Sequence, residues 1–73
     1  MMNKYTVEIF WSDADEGFIA IVPELAGCNA WGVTQEQALF EIHDAIAAWL
    51  EARNAAGEYI PAPTMKPHFS WAM

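Results

Sequence analysis

Ten acidic residues, two histidines and one cysteine are the side chains of this chain with the capacity for chemistry, and their spacing limits what they can do. Asp13, Asp15 and Glu16 stand together between two apolar stretches. Hard cations favour several oxygens from one loop, but this one lacks the full spacing of a calcium site. Acids in a hairpin turn are routinely just solvated, so no bound metal is expected. A metal-dependent nuclease would need carboxylates converging from different strands, and only Glu8 is available to join the loop acids. His43 and His68 have no partners at ligand or acid–base spacing. Cys28 lacks the surroundings of a cysteine nucleophile and reads as a small buried hydrophobe. Gly27, Gly32 and Gly57 form no phosphate-binding loop and read as turn and cap residues. Neither a catalytic centre nor a cofactor site is expected.

The elements that carry these residues are ordered β-β-β-α. Lys4 to Trp11 alternates with period two, Tyr5, Val7, Ile9 and Trp11 against Thr6, Glu8 and Phe10, and predicts the first strand. After the acidic turn, Phe18 to Val22 predicts a second strand, antiparallel to the first. It is apolar on both faces, which places it centrally. Pro23 to Gly27 is a turn, and Cys28 to Gly32 a short third strand. The longest element is a helix beginning at Thr34, with Gln37 completing a capping box and Val33 and Ala38 placed for a hydrophobic staple. Gly57 ends it, and Pro61 and Pro63 forbid its continuation. Ala38, Leu39, Ile42, Ala45, Ile46, Trp49, Leu50 and Arg53 form its inner arc, and Glu36, Gln37, Glu41, Asp44 and Glu51 its outer side. Met65, Phe69, Trp71 and Met73 allow a fourth strand in the tail, confined by Pro67 to an edge. The expected fold is a single α+β domain over residues 1–73, a two-layer sandwich of a small antiparallel sheet and one long helix.

Composition narrows the function. A chain of 73 residues buries only about 60% of its unfolded surface. With 55% hydrophobic residues and four tryptophans, self-association into a dimer or tetramer is expected. The formal net charge of −7 argues against direct nucleic-acid binding and favours a basic protein partner. One cysteine allows no internal disulfide, and neither a signal peptide nor a bilayer-spanning apolar run is visible, so a soluble cytoplasmic protein is expected.

The ordered set Tyr5-x-Val7-x-Ile9, Glu16-Gly17-Phe18, Pro23-Glu24-Leu25-x-Gly27-Cys28, Gly32-x-Thr34-x-Glu36-x-Ala38-Leu39 and Gly57-x-x-Ile60-Pro61-x-Pro63 resembles the N-terminal toxin-binding domain of the HicB antitoxins. The resemblance covers residues 5 to 63. It implies a degraded ribonuclease H-like fold and a partner similar to HicA, a small basic toxin that cleaves messenger RNA. Many members of that family add a C-terminal DNA-binding module. Here ten residues follow Pro63, so such a module is not expected within this sequence.

Three readings follow: a non-catalytic antitoxin, a toxinless self-assembling regulator or scaffold, and a metal-dependent nuclease. For the first, the expected partner surface joins the turn acids Asp13, Asp15 and Glu16 to Phe40 and Asp44 on the outer side of the helix, together with Trp71 in the tail. Phe40 falls on the polar side of the helical wheel, where an aromatic residue is unnecessary for the fold and suited to an interface.

Overall fold

The computed structural model describes residues 4–63, and the expected tail strand, His68 and Trp71 lie outside them. Within them the order is β1 Glu8–Ser12, β2 Gly17–Ile21, β3 Asn29–Gly32 and α1 Gln35–Ala56. The three strands form one antiparallel sheet in the order β1-β2-β3, with β2 central as its two apolar faces require. The helix packs over one face, completing the α+β sandwich.

β1 starts later than its alternation suggests, and its partner strand explains why. Glu8 pairs with Ile21, so continuing the register would set Thr6 opposite Pro23, which has no N–H to give. Thr6 instead donates its backbone N–H to the Glu24 carboxylate at 3.2 Å and its hydroxyl at 3.1 Å. The following turn folds inward. Leu25 N–H donates to the Val22 carbonyl and Cys28 N–H to that of Leu25, both at 3.0 Å, while Gly27 takes a left-handed φ of 81°. This buries Leu25 almost completely, in a core with Ala20, Val22, Cys28, Ala38, Ile42 and Ile46.

The helix is capped at both ends. Thr34 Oγ1 accepts from the Gln37 backbone N–H at 3.0 Å. The reciprocal bond reaches one residue further back than a capping box requires, from Val33 N–H to Gln37 Oε1 at 2.8 Å. Val33 is exposed and makes no staple, because Gly32 is what meets Ala38. At the other end, Gly57 has a φ of 69°, with N–H bonds from Gly57 to the Asn54 carbonyl and from Glu58 to that of Arg53, the two bonds of a Schellman motif. Ala38, Ile42 and Ile46 are buried and Ala45, Trp49 and Leu50 half-buried against the core. Leu39, expected on the inner arc, lies at its margin and is exposed.

Side-chain clasps hold the far end of the helix to the loops. Trp49 Nε1 donates to the Ala26 carbonyl at 3.0 Å, and the Arg53 guanidinium lies 4.3 Å from the Trp49 ring centroid. Arg53 also pairs with Glu58 at 3.4 Å. The Tyr5 hydroxyl donates to the Pro61 carbonyl at 2.6 Å and ties the exit segment to the start of the chain. The expected extended segment Glu58–Ile60 is irregular.

A Cβ at Gly32 would stand 2.8 Å from Ala38 Cα, a helix backbone atom that cannot step aside. Gly32→Ala is therefore expected to lower stability by about 1–3 kcal/mol through overpacking. Thr34→Ala is expected to cost about 1 kcal/mol through the lost cap. Urea denaturation followed by circular dichroism checks both, with lower midpoints and unchanged slopes.

Candidate functional site

The acidic loop joins β1 to β2. Ser12 faces Gly17, and Asp13, Ala14, Asp15 and Glu16 make the connection, with Glu16 in the left-handed region at a φ of 53°. Its acids are exposed, and two of them hold the loop in shape. Asp13 Oδ1 accepts from Trp11 Nε1 at 2.6 Å, and Asp15 Oδ2 from the Ser12 hydroxyl at 2.8 Å. Trp11 in turn meets the Phe18 ring edge-on, with centroids 5.3 Å apart. Trp11 shares the helix-facing side of β1 with Ile9, yet it lies at the hairpin end and is half-exposed.

These carboxylates therefore have protein donors rather than a converging set of ligands. Among the described residues no group of three acidic, histidine or cysteine side chains is placed to hold a metal ion. Glu8 is at the far end of β1, about 14 Å along the strand from Ser12, and cannot join the loop acids in nuclease chemistry. His43 is exposed on the helix, outside the buried arc.

Cys28 is buried, and that burial pushes its thiol up from the ordinary cysteine range. A nucleophile needs the opposite shift. Cys28 packs with Leu25 and Ala20 as a core residue, in keeping with its sequence reading.

On the helix, Phe40 and Asp44 are one turn apart on the outer side, and Phe40 is 66% exposed. Glu36 precedes Phe40 by one more turn, so the aromatic ring stands between two carboxylates. The hairpin loop lies at the same end of the molecule as the helix start. Trp31 Nε1 donates to the Asp15 carbonyl at 3.0 Å, and the next residue, Gly32, abuts Ala38. The acidic loop and the first turns of the helix thus flank the same strand-to-helix joint.

The second surface is one that the sequence reading did not assemble. The sheet face turned away from the helix carries Phe10, Ile19 and Trp31 side by side across all three strands, since Phe10 pairs with Ile19 and Ile19 with Trp31. Its signal was present in the apolar outer residues Ile19 and Ile21 of β2 and in the position of Phe10. Reading β2 as central accounted for its pairing but not for what covers its outer side.

A family model for the HicB-like antitoxin of bacterial toxin–antitoxin systems matches residues 5–69. UPF0150 protein Ta0767 of Thermoplasma acidophilum is 41% identical over 58 residues, covering 80% of this chain and 83% of that protein. UPF0150 protein ssl0259 of Synechocystis sp. is 33% identical over 54 residues, covering 74% of each. No solved structure matches the chain.

The Cys28 environment has a measurable consequence. The unfolded thiol ionises near pH 8.5, before the buried one, so the unfolded state binds fewer protons and stability falls as pH rises through that range. Urea midpoints measured from pH 7 upward are expected to decline less steeply in Cys28→Ala than in the parent chain. In native buffer, a thiol reagent is expected to label Cys28 slowly, with the rate rising sharply once urea unfolds the protein.

Proposed function

The chain belongs to the HicB-like antitoxin family, and on that premise we propose that it binds and neutralises a small basic HicA-like toxin that cleaves messenger RNA. The observation that carries this reading is the family match over residues 5–69, which takes in the whole sheet and helix. The formal charge of −7 supports the identity of the partner, since a basic ribonuclease surface and an acidic antitoxin attract at long range. The protein acts by occlusion and brings no catalytic group of its own. It works in the cytoplasm, where its toxin's substrate is found. Among the described residues, no helix is long and apolar enough to cross a membrane.

The docking surface is the acidic end of the molecule. Asp13, Asp15 and Glu16 supply charge from the hairpin loop, and Asp44 supplies it from the helix. Phe40 supplies the apolar anchor, since an exposed aromatic ring framed by charge is the pattern of a residue that dominates binding energy. Trp71, outside the described residues, completes the sequence-based set.

A second reading is a toxinless, self-assembling regulator or scaffold. It is favoured by the apolar face of the sheet, which an antitoxin acting alone would not need.

Titration of the purified chain into an RNA-cleavage assay with a small basic HicA-like toxin tests the first reading. Cleavage is expected to stop at stoichiometric antitoxin. Phe40→Ala is expected to weaken binding about tenfold or more while leaving the circular dichroism spectrum unchanged. Reversing Asp13, Asp15 and Glu16 to lysine together is expected to slow association and flatten its salt dependence. Continued cleavage with excess antitoxin would contradict the proposal and leave the second reading.

A further inference from the structure

We propose that Trp31 is a positioning residue for partner docking, a strut that holds the hairpin loop of Asp13, Asp15 and Glu16 in one place relative to the strand-to-helix joint. The inference rests on the docking surface proposed above and names what fixes its geometry.

Trp31 stands opposite Ile19, and its ring reaches diagonally across the sheet to lie over Gly17, the first residue of β2. A Cβ at Gly17 would stand 2.6 Å from Trp31 Cζ2, so the indole keeps this seat only beside a glycine. From there Nε1 donates to the Asp15 carbonyl at 3.0 Å. That carbonyl belongs to the peptide whose rotation sets the φ of Glu16, which is left-handed at 53°. A residue with a side chain is disfavoured in that region, and the indole bond opposes the rotation that would relieve it. The other end of the strut is equally firm. Gly32, the neighbour of Trp31, lies against the helix backbone at Ala38.

The other bonds of the loop act differently. Trp11 Nε1 to Asp13 and the Ser12 hydroxyl to Asp15 tie the loop to β1, and the Glu16 N–H closes the turn on the Asp13 carbonyl at 3.2 Å. The bond from Trp31 ties it to β3, and β3 runs directly into the helix that carries Phe40 and Asp44. Trp31 therefore relates the two halves of the docking surface to each other. Residues 13–16 include three acids, whose like charges repel and favour a spread loop. A partner that meets both halves would have to order such a loop, at the expense of affinity. With the loop held from β3, that ordering is complete before the partner arrives.

The test begins with nitrogen-15 relaxation of the full chain, without toxin. It compares the parent with Trp31→Phe, which keeps an aromatic ring and loses the N–H, and with Gly17→Ala, which displaces the ring. Amide order parameters over residues 13–16 are expected to be about 0.85 in the parent and to fall toward about 0.6 in both variants, with α1 and β2 unchanged. Calorimetric titration of the same proteins with the HicA-like toxin follows. Affinity is expected to fall about tenfold in the variants through a less favourable binding entropy, although no charge has been altered. Loop order that is unchanged in Trp31→Phe would overturn the proposal, as would a loosened loop that binds toxin as tightly as the parent. Loosening that spreads into α1 would also overturn it, since it would mark Trp31 as a general support of the fold. If Gly17→Ala does not fold, Trp31→Phe decides alone. A parent chain that binds no toxin would overturn the docking reading instead, and the order parameters still decide whether Trp31 holds the loop.

Discussion

The backbone of the helix at Ala38 lies against Gly32 with no room for a side chain between them, and the two layers depend on that approach. It occurs at the joint between β3 and α1, so the helix must fold back over the sheet as soon as it begins. Thr34 caps it at that point, and the buried residues Ala38, Ile42 and Ile46 then follow at helical spacing. The same geometry commits the only helix of the described residues to one face of the sheet. A single helix cannot cover both faces, and among the described residues no second layer covers the outer side of β1, β2 and β3. Much of the molecule's interaction chemistry follows from that asymmetry.

The surface is consequently divided. One end bears acids from the hairpin loop and from the helix, with Phe40 exposed among them. The open sheet face carries Phe10, Ile19 and Trp31 across its middle, with Glu8 at one corner and Asp15 beside Ser12 at the other. The two regions meet at Trp31, whose ring belongs to the sheet face and whose indole nitrogen is bound to the acidic loop through Asp15. The acidic end is the one that would draw the basic partner proposed above through charge.

Much of this was legible in the sequence because it rests on local rules. Thr34, Gln37 and Gly57 mark the helix ends, and Pro23 ends β2, through backbone requirements that neighbours on the chain reveal. The delayed start of β1 was not legible from its own alternation, because it depends on Pro23 and Glu24 across the sheet. The exposure of Leu39 and the missing Val33 staple have a similar origin, since both depend on where the helix axis passes over the strands. Of the candidate site, the exposure of Phe40, Asp44 and the loop acids was readable from the wheel and the turn. The apolar row was not, because Phe10, Ile19 and Trp31 become neighbours only once the strand registers are known. Glycine was the least readable signal of all: Gly17 and Gly32 look alike in the sequence, yet one seats an indole ring and the other a helix backbone.

The division of the surface can be tested directly by nuclear magnetic resonance. Titrating the isotopically labelled chain with the unlabelled HicA-like protein proposed as its partner reports, amide by amide, which surface is contacted. The account predicts that perturbations gather at Asp13, Asp15 and Glu16 and along the outer side of the helix around Phe40 and Asp44. It predicts that Phe10, Ile19 and Ile21 on the sheet face stay unchanged. Perturbations centred on the sheet face, with the acidic loop and Phe40 unaffected, would contradict it.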